Sequence, residues 1–271
     1  VKNPGQRHQT VALVLVDRVS NALGGSSVVE HDLAGRSVLE RTPQRVGALR
    51  QVTAIRMVEQ RPDPIVSQSI EVSRRWARGS WRGGPGGLTV FDELLPVQSL
   101  LEAAEHSKAD SVYLVRGDWC CVDPVLGDRV VSQRAGQPDR MKICFSQSPP
   151  GLCGVSIGVE TLGAMAEHHA TFGSVLGYNP QQPRSDPMLG DANMTIDPML
   201  RNTARRFVPD TVRSRRMLEA IAARLGHDFD DASAERIAGI WRELEDAGIG
   251  HIGPAEVDVE LTPAVAGMYE L

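Results

Sequence analysis

Two apolar runs decide how this sequence is read. Val11-Ala-Leu-Val-Leu-Val16 leads straight into Asp17-Arg18-Val19-Ser20-Asn21 and then Gly24-Gly25, and Val112-Tyr-Leu-Val115 leads into Arg116-Gly117-Asp118. A short, continuous valine-rich run closed by turn residues predicts a strand buried on both faces, since a half-exposed strand would alternate apolar and polar positions. Working outward, Val52–Val58 is a further strand, and Met141–Phe145 and Val155–Ile157 are short strands around Pro149-Pro150-Gly151. Met194–Ile196 and Val257–Leu261 read as strands as well. Between them, Arg36–Leu49, Ser67–Arg78, Leu94–His106, Val125–Arg134 and Thr161–His169 have helical spacing, with Pro43 marking a break or a first-turn position. Residues 82–87 are a Gly/Pro loop, and 178–191 an irregular stretch. Met217, Ile221 and Leu225, then Ile237, Ile240, Trp241 and Leu244, give the tail two amphipathic helices. Strands alternating with helices predict an α/β class: a three-layer α/β/α sandwich with a mostly parallel central sheet, plus a C-terminal helical tail.

The 271 residues are 41% apolar and 23% charged, enough to bury a sizeable core and too apolar for a disordered chain. No apolar run reaches 18 residues, so no membrane span is expected. The net charge of −5, with basic residues not clustered enough to suggest a nucleic-acid surface, argues against a nucleic-acid partner. Only Lys2, Lys108 and Lys142 among the 29 basic residues are lysines. Cys120, Cys121, Cys144 and Cys153 lack metal-ligand spacing and read as small buried thiols in a reducing cytoplasm. His168 and His169 face different sides of a helix, which does not suit joint ligation. The chain begins without a methionine, as a processed or excised segment does.

Ligands of open α/β sheets bind beyond the carboxyl ends of the strands. Three segments stand there: Arg18 with Gly24-Gly25, Gly117 to Pro124, and Asp197-Pro198. Glycines let backbone amides approach a phosphate or a base. Asp118 and Asp197, from separate strand ends, form a pair able to clamp one Mg²⁺, although aspartates at such places also begin helices as caps. Arg201, Arg205, Arg206, Arg213, Arg215 and Arg216 form a basic stretch around Phe207-Val208-Pro209-Asp210. It reads either as a solvated helix face with intrahelical pairs or as a site for a sugar acid or phosphate. His31 and Asp32 are a weaker acid/base pair, and Trp76 and Trp81 flank the Gly/Pro loop.

These blocks resemble a family. Val14 to Glu40, VLVDRVSNALGGSSVVEHDLAGRSVLE, is similar to the opening of nucleotidyltransferases of the nucleotide-diphospho-sugar transferase (GT-A-like) fold. Spore-coat polysaccharide and sugar-acid cytidylyltransferase-like proteins are the nearest group. Leu33, Gly35, Val38, Leu39 and Glu40 match its Leu-x-Gly-x-x-Val-Leu-Glu segment, and Gly117-Asp118 with Asp123-Pro124 its acidic loop. Phe145–Gly154, with Pro149, Pro150 and Gly151, is similar to its substrate loop, and Thr195-Ile196-Asp197 to its late strand end. The resemblance implies a nucleoside triphosphate or nucleotide-sugar bound at Val16, Asp17, Arg18, Gly24, Gly25 and Arg116. It further implies Mg²⁺ on Asp118 and Asp197, catalysis by Arg18 and Asp118, and a sugar held by Asp123, Pro149, Pro150 and Gly151. The activity implied is Mg-dependent nucleotidyl transfer that activates a sugar or sugar acid for surface polysaccharide.

The sequence departs from the family where a lysine follows the glycines, for here Gly24-Gly25-Ser26-Ser27 stands, and residues 3–107 hold no lysine. Trp119 and Cys120-Cys121 replace small polar residues of the acidic loop. A non-catalytic nucleotide-sugar- or partner-binding domain and a GT-A glycosyltransferase therefore stand beside the enzyme. Residues 1–212 form the nucleotidyltransferase-like domain in this reading. Residues 213–271 are a helical extension that serves as a cap, a homodimer surface or a link to a following domain.

Overall fold

The computed structural model describes residues 8–19, 21–22, 25–59, 97–170, 193–201 and 205–250. Six strands form one sheet: β1 (Thr10–Val16), β2 (Ala54–Glu59), β3 (Ser111–Arg116), β4 (Ile143–Ser146), β5 (Val155–Gly158) and β6 (Asn193–Met194), in the order β2-β1-β3-β5-β4-β6. Every residue of β1 and of β3 is buried, so layers cover both faces at the sheet's centre, as the two apolar runs require. β1 pairs in parallel with β2 and β3, and β4 with β6. β5 alone is reversed, against both β3 and β4. Eight residues separate β4 from β5, too few for the crossover that parallel neighbours need. The expected mostly parallel α/β architecture is therefore the one observed.

The flanking helices are α1 (Val38–Gly47), α2 (Val97–His106), α3 (Pro124–Ala135), α4 (Val159–Glu167) and the single turn α5 (Pro198–Arg201). Ser37 and Glu40 close a reciprocal capping box on α1. Pro43 corrects one expectation: it neither breaks α1 nor sits in its first turn, but is the sixth helical residue. Packing on β1 and β2 holds the helix through that position. The predicted helix 67–78, the loop 82–87, Trp76, Trp81, the stretch 178–191 and the strand 257–261 lie outside the described residues.

The tail contributes α6 (Val212–Leu225), a 3₁₀ turn (Gly226–Asp231) and α7 (Ala234–Asp246). Met217, Ile221, Ile237 and Trp241 belong to the same continuous core as β1 and β3. Two buried charged residues tie this tail to the sheet domain. Arg45 of α1 donates to the carbonyls of Val122 (2.7 Å), Phe229 (2.8 Å), Asp230 (2.9 Å) and Ala232 (2.6 Å). Asp123 accepts from the amide of Leu126 at 2.9 Å and that of Ala234 at 2.7 Å, so one carboxylate caps the starts of α3 and α7. Arg41 pairs with Asp230 and lies 4.9 Å over the Phe229 ring.

All four cysteines are buried free thiols, as expected; burial pushes Cys144 up to about 12 and Cys153 up to about 11. Among the described residues no helix is long and apolar enough to cross a membrane.

The Pro149-Pro150-Gly151 turn is buried, and the Phe207 amide donates to the Pro150 carbonyl at 2.9 Å. Gly151 has φ +94°, and a Cβ there would lie 2.2 Å from the Phe207 carbonyl oxygen. Gly151→Ala is expected to cost at least about 2 kcal/mol in urea unfolding, because strain and overlap with backbone act together. Gly163→Ala, within α4 and with nothing inside 4 Å of the added Cβ, is expected to be neutral or to stabilise by about 0.5–1 kcal/mol.

Candidate functional site

The chain passes from β1 to β2 on one side and then returns to place β3 on the other side of β1. The loops leaving β1 and β3 therefore diverge from neighbouring parallel strands, the topological switch point where such sheets open a crevice. The two strand ends are in register, Leu15 beside Arg116, and the Gly117 amide donates to the Leu15 carbonyl at 2.6 Å.

Asn21 organises the first loop. Its amide donates to the Gly25 carbonyl (2.9 Å), its Oδ1 accepts from the Gly25 amide (3.0 Å) and its Nδ2 donates to the Ser26 carbonyl (3.0 Å). A Cβ on Gly25 would stand 2.9 Å from Asn21 Nδ2, so a larger residue there would displace the Asn21 amide. Ser27 Oγ donates to the Asp17 carbonyl at 2.5 Å, and Asn21 Nδ2 also reaches the Asp210 carbonyl at 3.5 Å.

Beside this loop lie two ion pairs. Arg116 donates from Nε to Asp118 Oδ1 (3.1 Å) and from Nη2 to Oδ2 (3.2 Å), and both side chains are buried. Arg206 grips the fully buried Asp210 in the same two-pronged way, through Nε at 2.6 Å and through Nη2. Burial raises the Asp210 carboxyl and the charge of Asp118 raises it further, against the hydrogen bond and charge of Arg206 and the charge of Arg116. Burial works against the Arg116 cation, but Asp118, Asp17 and Asp210 hold its pKa above the ordinary arginine value. Cations and carboxylates thus alternate at this end of the sheet.

The structure brings together Val16, Asp17, Gly25, Arg116 and Asp118 of the expected site; Gly24 lies outside the described residues. Arg18 points elsewhere: half exposed, it pairs with Glu30 and with Glu59 of β2. Asp123, expected to hold a sugar, is the buried double helix cap, and Pro149, Pro150 and Gly151 are covered by residues 207–208 rather than open to a substrate. His31 bonds Glu219 of the tail at 2.8 Å, and Asp32 accepts from the Gly35 amide, so they form no acid/base pair. Asn21 and Asp210 are participants that spacing did not single out. The Arg206-x-x-x-Asp210 interval was visible, but not that its carboxylate lies near Asp118.

The carboxylates do not form a metal cradle as arranged. Both oxygens of Asp118 are taken by Arg116, whose charge opposes a dication. Asp197 caps α5, its Oδ1 accepting from the Met199 amide at 2.7 Å. β6 is three strand spacings from β3, about 14 Å in the sheet. Among the described residues no three of His, Cys, Asp and Glu gather as a metal site.

Next to Arg206 opens a cavity of about 680 Å³ between α5, residues 205–211, α6 and α7. Arg205, Arg206, Arg213 and Arg242 line it with Thr211, Trp241 and Glu245. The basic stretch is thus divided: Arg205 and Arg206 precede α6, Arg213, Arg215 and Arg216 lie on it, and the pairs of Arg205 and Arg213 cross to α7 rather than run along one helix. Arg205 and Arg213 reach across to Glu245 at 2.7 and 2.8 Å, and Trp241 Nε1 donates to the same carboxylate at 2.8 Å.

A cytidylyltransferase from Leptospira borgpetersenii aligns over 91% of this chain and 99% of its own, with TM-score 0.62 and 12% identity. The chain shares that enzyme's fold. Weaker likenesses are a CMP:2-keto-3-deoxy-manno-octonic acid synthetase complexed with CTP (TM-score 0.48, 12% identity, 80% of this chain and 99% of that one) and an Anaerococcus prevotii 4-diphosphocytidyl-2C-methyl-D-erythritol synthase (TM-score 0.37, 13% identity, 70% and 86%). No protein-family model matches the sequence, and no curated protein matches it. The alignment covers 91% of the chain, so it takes in at least part of the tail.

Asp118→Ala strands the buried Arg116 cation and is expected to cost about 3–5 kcal/mol in denaturant unfolding. Asp118→Leu combined with Arg116→Met should cost less than either single change, and a double-mutant cycle measures the difference. Burial raises the Glu245 carboxyl, but hydrogen bonds from Arg205 and Trp241 and the charges of Arg205 and Arg213 hold it below its ordinary 4.5. Its contribution to stability is thus fully present above pH 4.5 and lost as the pH falls through the lower folded value. The melting-temperature gap between the protein and Glu245→Gln should therefore narrow from pH 7 to pH 3.

Proposed function

We propose that the chain binds a nucleoside triphosphate, CTP in keeping with the family it resembles, at the β1–β3 switch point and transfers the nucleotidyl group to an oxygen of a sugar or sugar acid. The observation that carries this reading is the juxtaposition at the switch point of the two family-like loops, the Asn21–Gly25 turn and Gly117-Asp118. The shared fold and the order of the motifs along the chain support it. In the reaction a sugar hydroxyl attacks the α-phosphorus, a P–O bond to the sugar forms, the bond to the β-phosphate breaks, and pyrophosphate leaves while the hydroxyl proton passes to solvent. The chain's part is positioning and charge. Gly25 and Gly117 let the two loops pack tightly on Asn21 and on Leu15, and Arg116, fixed in orientation by Asp118, supplies a cation against the phosphates. The product class, an activated sugar, would feed surface polysaccharide synthesis.

A second reading has its own observation. Asp118 is engaged on both oxygens by Arg116, and the Gly25 amide is engaged by Asn21, an arrangement suited to holding a nucleotide-sugar without turning it over. Calorimetry with the four nucleoside triphosphates, followed by a pyrophosphate-release assay with a sugar acid and divalent cation, separates the two. The expected result is CTP binding, weakened about tenfold or more by Asn21→Ala, with CTP-dependent pyrophosphate release. Binding without release favours the second reading, and no binding at millimolar nucleotide overturns both.

A further inference from the structure

The cavity between α5, α6 and α7 is distinct from the switch-point crevice: among the described residues, none of 17–27 and none of 116–118 lines it. Its wall carries four guanidinium groups, from Arg205, Arg206, Arg213 and Arg242. Among the described residues two carboxylates answer them, Glu245 in the wall and Asp210 behind Arg206, which leaves an excess of two positive charges. The start of α6 faces the same space: Thr211 and Ser214 line it, and the first turn of this 14-residue helix contains no acidic residue. Glu245 is saturated, with Oε1 accepting from Trp241 and Arg213 and Oε2 from Arg205, and it holds two of the arginines against the wall. Arg242 stands exposed at the rim on α7, and the Arg213 side chain is 56% exposed.

From this placement we propose that the cavity is a binding site for a phosphate dianion, carried by a small organic phosphate monoester or as free phosphate. The excess of two charges matches a dianion. Arginines arriving from the 205–206 segment, α6 and α7 surround a tetrahedral group with several oxygens better than a planar carboxylate, which one guanidinium fork satisfies. The volume exceeds what phosphate alone fills and suits a small ligand. Arg206 belongs to both places, since the Asp210 it grips is the neighbour of Asp118 and Arg116. A phosphate in the cavity thus sits one ion pair away from the switch point.

Isothermal titration of the full chain with inorganic phosphate, glucose 1-phosphate, glucuronate and glucose tests this at low ionic strength. Glucose 1-phosphate or phosphate should bind, glucuronate at least tenfold more weakly, and glucose not at all. Arg213→Ala and Arg242→Ala should each weaken the dianion roughly tenfold, the loss expected for one charge-assisted hydrogen bond; the melting temperature of the free protein should be unchanged by Arg242→Ala and only slightly lowered by Arg213→Ala, which loses a half-exposed pair to Glu245. Tighter binding of glucose 1-phosphate identifies a monoester site, and equal binding a site for phosphate itself; both uphold the proposal. Equal affinity for glucuronate, no dianion binding at 10 mM, or affinity unaffected by Arg213→Ala and by the charge reversal Arg242→Glu would overturn it. CTP affinity measured on the same variants keeps this result separate from the nucleotide reading, because neither residue lies in the switch-point loops.

Discussion

Arg45 is the group on which the shape of this molecule turns. A guanidinium with a relative exposure of 1% is tolerable only if its donors are met, and here they are met by one carbonyl at the end of the β3 loop, two in the tail's 3₁₀ turn and one just after it. Removing the tail would leave the cation facing solvent-filled space, and removing the cation would leave buried carbonyls unmet. Asp123 makes the matching connection with opposite charge, one oxygen on the start of α3 and the other on the start of α7. The sheet domain and the tail are thereby joined through polar groups that are costly to leave unpaired, in addition to a shared apolar core.

That joint has a functional consequence. With the start of α7 fixed by Asp123, Trp241 and Glu245 lie against Phe207 and the arginines of the 205–213 segment; the Phe207 and Trp241 rings meet edge to face at 5.0 Å. Phe207 is held from the other side by the Pro150 carbonyl and by the absence of a side chain on Gly151. Residues 205–210 are therefore clamped between the Pro-Pro-Gly turn and the tail, and this clamp sets Asp210 near Asp118. The turn that resembles a substrate loop acts here as a support one step removed from the site. Its glycine answers a packing need, which the motif alone does not distinguish from a need for ligand access.

How much of this was legible in the sequence depends on the range of the interaction. The strands β1 and β3 were readable because burial on both faces imposes a local composition, and the Ser37-x-x-Glu40 cap because both partners lie within one turn. Pro43 misled because propensity is a local quantity, whereas α1 is held by its packing on β1 and β2. The place of Asp118 just beyond the end of β3 was legible, but its partner was not. The two-residue step from Arg116 around a tight turn lets a strand side chain fold back onto the loop carboxylate. The Asp123 contact to Ala234 spans 111 positions and the Arg45 contact to Ala232 spans 187, and no spacing rule anticipates either.

The scarcity of lysine takes on a physical meaning in this setting. An ammonium group is a strongly hydrated point charge with three donors, and it could not satisfy four carbonyls spread around Arg45 or present parallel donors to both oxygens of Asp118 and Asp210. A planar, weakly hydrated fork can do both. The family pattern expects a lysine in the first loop, yet positive charge here approaches the switch point from β3 through Arg116 and from the 205–213 segment through Arg206. Those cations stand on a buried strand end and on a clamped segment, and each is locked by a carboxylate, so they are held more rigidly than a loop lysine would be. Charge fixed in advance needs little reorganisation when an anion arrives, which is the condition under which it acts most strongly on phosphate oxygens.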